Sequence, residues 1–74
     1  MTDCETAIML YFRRYDVGAG QMLFFDTGPA RGDADAFDRA MGDLIRRGLV
    51  VRERPQFAYS LTDSGYRASL AARV

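Results

Sequence analysis

The segment from Asp43 to Tyr66, DLIRRGLVVRERPQFAYSLTDSGY, constrains the fold more than any other stretch of the chain. An apolar run with two arginines leads through Gly48 into a valine-rich stretch, and then through Pro55 into a second stretch with two aromatic residues. Glycine just past the end of a helix permits the left-handed turn that reverses the chain. The segment therefore predicts a helix whose end folds back into a β-hairpin.

The hairpin has two predicted strands, LVVRER at 49–54 and FAYSL at 57–61. The turn over 54–57 joins them and has Pro55 in its second position, where the fixed φ of proline is favourable. Both strands are rich in the β-branched and aromatic residues that suit a pleated, half-buried surface.

Alternation along the first strand predicts that Leu49 and Val51 return to the core while Arg52 faces out. On the return strand, Leu61 is expected to enter the core. Thr62 follows it and is a favourable N-cap for a last helix.

Two helices are predicted at the ends of the chain. The first begins near Asp3, behind the capping-box pair Thr2 and Glu5, and stops before Gly18. The last runs over 63–72. Helical spacing predicts the buried side chains of both: Ile8, Tyr11, Phe12 and Tyr15 in the first, and Tyr66 and Leu70 in the last.

The stretch AGQMLFF at 19–25 has too few apolar residues to separate a short helix from a strand, and a short helix is the favoured prediction. Met22 to Phe25 cannot all face one way in a helix. Either this group is fully buried, which is slightly favoured, or part of it is exposed and forms a subunit contact. Residues 26–33, DTGPARGD, have turn chemistry.

A strongly amphipathic helix follows, capped by Asp33 or Asp35 and ended by Gly48. Its core face holds Phe37, Met41, Leu44 and Ile45, and its opposite face holds Asp35, Arg39, Gly42 and Arg46. Gly42 has two interpretations. Either a partner's backbone approaches closely there, or the helix tolerates a cost of about 1 kcal/mol.

The 74 residues predict one domain, 1–74, without cofactor or metal. The chain has no histidine, no metal-ligand spacing, no glycine-rich phosphate loop and no nucleophile paired with a base, which argues against an enzyme. Its single cysteine, Cys4, forms no internal disulfide, so the cytoplasm is the expected compartment. No apolar run is long enough to span a membrane.

Ten arginines balance ten acidic residues, but the two signs are unevenly distributed. Residues 1–45 carry four bases and eight acids, a net charge of −4, whereas residues 46–74 carry six bases and two acids, a net charge of +4. A neutral chain with a basic end can dock on an anion. Chance asymmetry in a short chain is the equally weighted alternative.

Eight positions form a pattern around the hairpin: Leu44, Gly48, Leu49, Val50, Tyr59, Leu61, Thr62 and Gly65. This pattern resembles the core segment of MarR-, PadR- and HxlR-type bacterial regulators, in which L-I/E-x-x-G-L-V precedes a hairpin and Y-x-L-T-x-x-G ends it. The resemblance covers about a third of the chain. It implies an α+β fold, a small winged helix-turn-helix with three helices, a two-stranded β-hairpin wing and a short C-terminal helix.

The resemblance also implies a small DNA-binding transcriptional regulator. In those families the helix before the hairpin enters the major groove, and the wing touches the backbone or the minor groove. The implied DNA-binding residues are Arg31, Arg39, Arg46, Arg52, Arg54 and Gln56. Arg39 is the best candidate to contact a base, since arginine pairs bidentately with guanine, and Arg31, Arg52 and Arg54 would clamp phosphates. The expected partner is double-stranded DNA, bound by a homodimer on a two-fold site.

Three aspartates at the start of this helix, Asp33, Asp35 and Asp38, oppose that function because carboxylates repel phosphates. They fit a solvated or protein-binding helix better, stabilised by two i,i+4 ion pairs, Asp35 with Arg39 and Asp43 with Arg47. The alternative function is a winged-helix protein–protein interaction module, an adaptor or accessory protein that does not bind DNA.

Overall fold

A computed structural model describes residues 2–25 and 33–72, which form three helices and a three-stranded antiparallel sheet. The elements in chain order are α1 (Asp3–Arg14), β1 (Met22–Phe24), α2 (Ala34–Arg46), β2 (Val50–Arg52), β3 (Ala58–Leu61) and α3 (Asp63–Ala71). The strand order is β1-β3-β2, so the last strand of the chain lies in the middle of the sheet. The predicted α+β class is confirmed.

The stretch at 19–25 that we predict as a short helix contains a strand, β1, so the helix prediction is wrong there. β1 pairs antiparallel with β3, which makes the sheet three-stranded rather than two-stranded. Because side chains alternate along a strand, the four apolar residues 22–25 point to the two faces of the sheet in turn. Leu23 and Phe25 turn inward, whereas Met22 and Phe24 are 46% and 45% exposed. Full burial of this group, the slightly favoured alternative, is therefore also wrong.

β2 and β3 form the predicted hairpin, with a turn that differs by one position. The amide of Ala58 donates to the carbonyl of Pro55 at 3.2 Å, so proline takes the first place of the turn rather than the second. Phe57 takes the third place with φ 69°. A type II turn requires positive φ at that place, which non-glycine residues rarely adopt.

The predicted direction of the side chains in β2 is wrong at Val51, which is exposed, and Val50 is buried instead. Leu49 is partly buried and packs against the core, as predicted. The reason is the end of α2, where Gly48 has φ 76°. The amides of Gly48 and Leu49 each donate at 3.0 Å to a carbonyl in the last turn of the helix. Leu49 thus belongs to the helix cap, and the strand begins one residue later.

α1 begins with both halves of the predicted capping box. The amide of Glu5 donates to Thr2 Oγ1 at 3.1 Å, and the amide of Thr2 donates to Glu5 Oε1 at 2.7 Å. The helix ends before Gly18, as predicted. Of the predicted buried residues, Ile8 and Phe12 are buried, Tyr11 is half-buried and Tyr15 is exposed. Tyr15 lies past the last helical residue, so it leaves the buried side of the helix.

α3 occupies its predicted place, but the buried side of the helix is rotated by about 100°, or one residue, from the predicted side. Tyr66 and Leu70, the residues predicted to reach the core, are exposed, and Gly65 and Ser69 are buried instead. The helix lies so close to the start of β2 that a Cβ at Gly65 would overlap the carbonyl oxygen of Leu49. Only small residues fit this contact, so the large apolar side chains turn outward.

The core lies between the helices and the inner face of the sheet, with Phe25 at its centre. The ring of Phe25 lies 5.0 Å from that of Phe12 and 5.8 Å from those of Phe37 and Tyr59. The largest aliphatic and sulfur side chains of the core are Ile8, Met9, Met41, Leu44, Val50 and Leu61. On α2 the predicted core face is confirmed at Phe37, Met41 and Leu44, with Ile45 half-buried.

Candidate nucleic-acid interface

The start of α2 is capped by Asp33, one of the two predicted caps. Its carboxylate accepts a hydrogen bond from the amide of Ala36 at 3.1 Å. A capping carboxylate is directed at its own helix, where the free amides and the positive end of the dipole partly neutralise its charge. Asp33 therefore opposes an approaching anion less than its formal charge suggests.

The side of α2 opposite the core is called the outer face here, and it consists of Asp35, Arg39, Gly42 and Arg46. Asp35, Arg39 and Arg46 are exposed, and Gly42 is half-buried. Asp38, which is also exposed, borders this face, because it lies one turn from both Asp35 (i,i+3) and Gly42 (i,i+4). Of the three aspartates at the helix start, Asp35 thus lies within the outer face and Asp38 lies beside it.

One of the two predicted ion pairs along α2 is present. Arg47 Nη2 lies 2.9 Å from Asp43 Oδ2, and Arg46 Nη2 lies 3.1 Å from the other oxygen of the same carboxylate. The Arg46 side chain nevertheless remains 73% exposed. The predicted pair between Asp35 and Arg39 is not formed, and Arg39 has no ion pair within residues 2–25 and 33–72.

A cleft of about 380 Å³ runs beside the outer face, between the start of α1 and α2. It is lined by Thr2, Cys4 and Glu5 from α1, and by Ala36, Arg39, Ala40, Asp43 and Arg46 from α2. Glu5 is buried at the α1–α2 contact, and its Oε2 lies 3.8 Å from Arg47 Nη2. Both arginines of the outer face therefore border a cleft whose lining includes two carboxyl groups.

The charges around Asp43 hold its pKa below its usual value. The largest cause is a side-chain hydrogen bond with Glu5, and the guanidinium groups of Arg47 and Arg46 add to it. The arrangement links α1 to the last turn of α2, because Glu5 and Asp43 both lie near Arg47 Nη2. This cluster adds a polar contact to the apolar packing of α2 on α1.

Cys4 lines the cleft without the features of a reactive thiol. Burial raises its pKa, and the negative charges of Asp33 and Glu5 raise it further, while Arg39 lowers it. The thiol therefore stays protonated, and it donates to the carbonyl of Ala36 at 3.7 Å. In the part of the chain that the structure describes, no three histidine, cysteine or acidic side chains come together to hold a metal ion.

The predicted wing residues Arg52, Arg54 and Gln56 differ in the contacts that their side chains make. Arg52 lies against Tyr59: its Nη1 donates to the phenol oxygen at 3.3 Å, and the guanidinium carbon is 5.5 Å from the ring centroid. Arg52 is exposed, as predicted, although alternation along β2 places it on the same side of the sheet as Val50. Arg54 and Gln56 are exposed in the hairpin loop.

The structure brings the candidate residues together in two groups. Arg39 and Arg46 lie on the outer face of α2, and Arg54 and Gln56 lie in the loop of the hairpin that follows α2. Arg52, fixed on the tyrosine ring, lies at the base of that hairpin. Arg31 and residues 26–32 of the predicted turn lie outside the described residues.

Sequence reasoning missed the contact of Glu5 with Arg47 and Asp43. The local signals were available, since the capping box identifies Glu5 and the i,i+4 spacing identifies Asp43 with Arg47. What was missing was the packing of α1 on α2, which brings together residues that are far apart in the chain. A single sequence holds no local pattern for such a contact.

Comparison with known proteins gives no relative: no family model, no curated protein and no solved structure matches this chain. Among the helices that the structure describes, none is both long enough and apolar enough to cross a bilayer.

Proposed function

We propose that this chain is a small winged-helix protein that binds double-stranded DNA and regulates transcription. In this proposal α2 lies in the major groove, and the β2–β3 hairpin is the wing. The observation that carries it is the outer face of α2, where Arg39 and Arg46 are exposed on a helix that leads directly into the hairpin. Arginine on a rigid helix is the side chain best suited to a bidentate contact with guanine.

The joint between α2, the hairpin and α3 supports the winged-helix part of the proposal. Thr62 Oγ1 donates to the carbonyl of Gly48 at 2.6 Å, and the amide of Gly65 donates to Thr62 Oγ1 at 3.0 Å. These are matching positions of the regulator-like pattern, so the pattern has a physical basis here. The short helix that the resemblance implies before α2 is absent from residues 19–25, and support therefore comes from the second half of the chain.

The charges near α2 are compatible with an anionic partner. Asp33 is engaged as a cap, which leaves Asp35 and Asp38 as the exposed acids near the groove. One carboxylate can accept from the amino group of cytosine, and the other would weaken binding because it repels phosphate. Arg54 and Gln56 on the wing would contact phosphates and give affinity without sequence information.

The test is a titration of fluorescently labelled duplex DNA at about 50 mM and about 200 mM salt. We expect Arg39→Ala to weaken binding by roughly 1–3 kcal/mol and to relax the preference for one sequence. Arg46→Ala should weaken binding to all sequences alike. Arg14→Ala is the matched control, because it removes one exposed arginine from the far end of α1. No binding at low salt by a folded protein would end the proposal.

The second candidate function is a protein–protein interaction module. Zero net charge, Asp35 on the outer face and the two carboxyl groups of the cleft favour it. It would use the same face of α2, so its partner should be lost with Asp35→Ala as well as with Arg39→Ala. On a duplex that lacks a preferred sequence, where no contact with cytosine is lost, removal of this carboxylate should instead strengthen binding, because one repulsion of phosphate is lost. The Asp35→Ala variant therefore separates the two functions by the sign of its effect.

A further inference from the structure

β1 is an edge strand, and its outer edge carries backbone groups that can extend the sheet. The amide of Phe25 donates to Phe57 at 2.7 Å, and the amide of Leu61 donates to the carbonyl of Gln21 at 3.4 Å. Because the direction of the backbone hydrogen-bonding groups alternates along a strand, the N–H and C=O groups of Leu23 also point toward β3. Met22 and Phe24 therefore direct their backbone N–H and C=O groups away from the sheet. Within the described residues no strand lies on that side.

The same two residues form an apolar ridge on the outer surface of the sheet. Their side chains are nearly half exposed, and they stand beside the small residues Ser60 and Ala58 of the middle strand. Natural proteins usually protect such edges with charge, proline or a bulge. Residues 17–25, VGAGQMLFF, instead form the longest stretch of the chain without any charged residue.

We propose that β1 pairs antiparallel with β1 of a second copy of this chain, about a two-fold axis at Leu23. In this register Met22 of each copy forms a hydrogen-bonded pair with Phe24 of the other. The backbone N–H and C=O groups of both residues, which point away from their own sheet, then all form hydrogen bonds. It also places each methionine sulfur beside a phenylalanine ring, which is a favourable contact. The two sheets become one six-stranded sheet.

The occupant that fits this edge is a second copy rather than a charged partner. The edge offers no charge for a charged partner to complement, and the net charge of zero leaves two copies without long-range repulsion. The contact is one short strand and two side chains on each copy, which belongs to the small, weak class of interfaces. We expect a dissociation constant on the order of 100 µM.

The test is sedimentation of the free protein over a concentration series up to about 1 mM, without DNA, so that the outcome is independent of DNA binding. The wild-type chain should reach the mass of a dimer. Met22→Glu and Phe24→Lys should each raise the dissociation constant by about tenfold or more, because a charge is placed in the strand pair. Val51→Lys is the matched control: it charges an equally exposed residue on the outer surface, on the opposite edge strand, and should leave dimerisation unchanged.

The double variant M22E/F24K tests the register itself. In the proposed pairing it creates two glutamate–lysine pairs across the axis, and opposite charges in cross-strand pairs are stabilising. The dimer should return to within about threefold of wild type. A wild-type chain that stays monomeric at the highest concentration would overturn the proposal, as would equal loss of the dimer in Val51→Lys. Failure of the double variant to recover would overturn the register. Circular dichroism of each variant establishes that it is folded.

Discussion

Thr62 and Gly65 lie where the start of α3 contacts the end of α2, and the structure explains why each position has its residue type. The hydroxyl of Thr62 donates to the carbonyls of Gly48 and Leu49, at 2.6 and 3.2 Å, and accepts from the amide of Gly65. Gly65 has no room for a side chain because the backbone of Leu49 lies against it. A threonine cap with glycine three residues later thus ties the start of α3 to the end of α2. These residue types report on the fold and do not by themselves report on function.

A pair of glycine-to-alanine substitutions tests this joint. Gly65→Ala should lower the free energy of unfolding by roughly 2–3 kcal/mol, because the new Cβ overlaps the carbonyl oxygen of Leu49. Gly42→Ala is the control on α2, where a Cβ would meet Arg46 at an ordinary 3.7 Å. It should raise the free energy of unfolding by about 1 kcal/mol, since alanine favours the helix. Urea denaturation measures both, and equal effects of the two variants would refute the close contact.

Gly42→Ala also separates the two interpretations of that glycine. If the position is only tolerated, the more stable variant should bind DNA as the wild type does. If a partner's backbone approaches there, the added methyl group should weaken binding while stability rises. A DNA titration of this one variant, read beside its urea denaturation curve, distinguishes the two.

The lowered pKa of Asp43 predicts a pH dependence of stability. A carboxyl group whose pKa is lower in the folded than in the unfolded state stabilises the fold above the unfolded value, near 3.9, and this contribution is lost as pH falls through the folded value. Asp43→Asn should therefore destabilise the protein at pH 7, and its difference from wild type should shrink in acid. Urea denaturation at pH 7 and at about pH 2.5 measures this. Asp35→Asn is the control and should show little difference at either pH, since Asp35 has no ion pair in the described part of the chain. A difference for Asp43→Asn that is as large in acid as at neutral pH would contradict the assignment.

At the scale of elements, the sequence predicted the helices better than the faces they bury. Local signals placed α1, α2 and α3, because the caps at Thr2, Asp33 and Thr62 and the stop at Gly48 act within a few residues. β1 could not be predicted, since four apolar residues satisfy a helix or a strand equally and pairing with β3 decides between them. The buried side of α3 depends on its close contact with the backbone of Leu49. The spacing of apolar residues in the sequence cannot predict such a contact.

The buried side of α3, rotated by one residue from the predicted side, gives a prediction for this element. Leu70→Ser should change the free energy of unfolding by less than about 0.5 kcal/mol, because this large apolar residue is half exposed. Ser69→Leu should destabilise by roughly 1–3 kcal/mol, since the leucine enters a buried position against the core. Thermal denaturation followed by circular dichroism compares the two. The reverse order of effects would mean that the predicted side of the helix, with Leu70, faces the core in solution.

At the scale of the whole molecule, the structure shows which arginines of the basic segment make contacts within the protein. Among the described residues of the basic segment 46–74, Arg46 and Arg47 both pair with Asp43, and Arg52 lies against the ring of Tyr59. Of the residues predicted to bind DNA, Arg39, Arg46, Arg54 and Gln56 are exposed, and their role in binding stays a prediction. Only the three-dimensional structure could show that the carboxylate of Asp33 is directed at its own helix and that Arg52 lies on an aromatic ring.

The most direct test of the central claim is a ¹H–¹⁵N NMR titration of the folded protein with a short DNA duplex at low salt. The account predicts that amide signals change along the exposed side of α2 and in the hairpin loop at 53–57, while those at the end of α1 do not. It would be contradicted by a spectrum that stays unchanged, or by changes confined to β1 and α3.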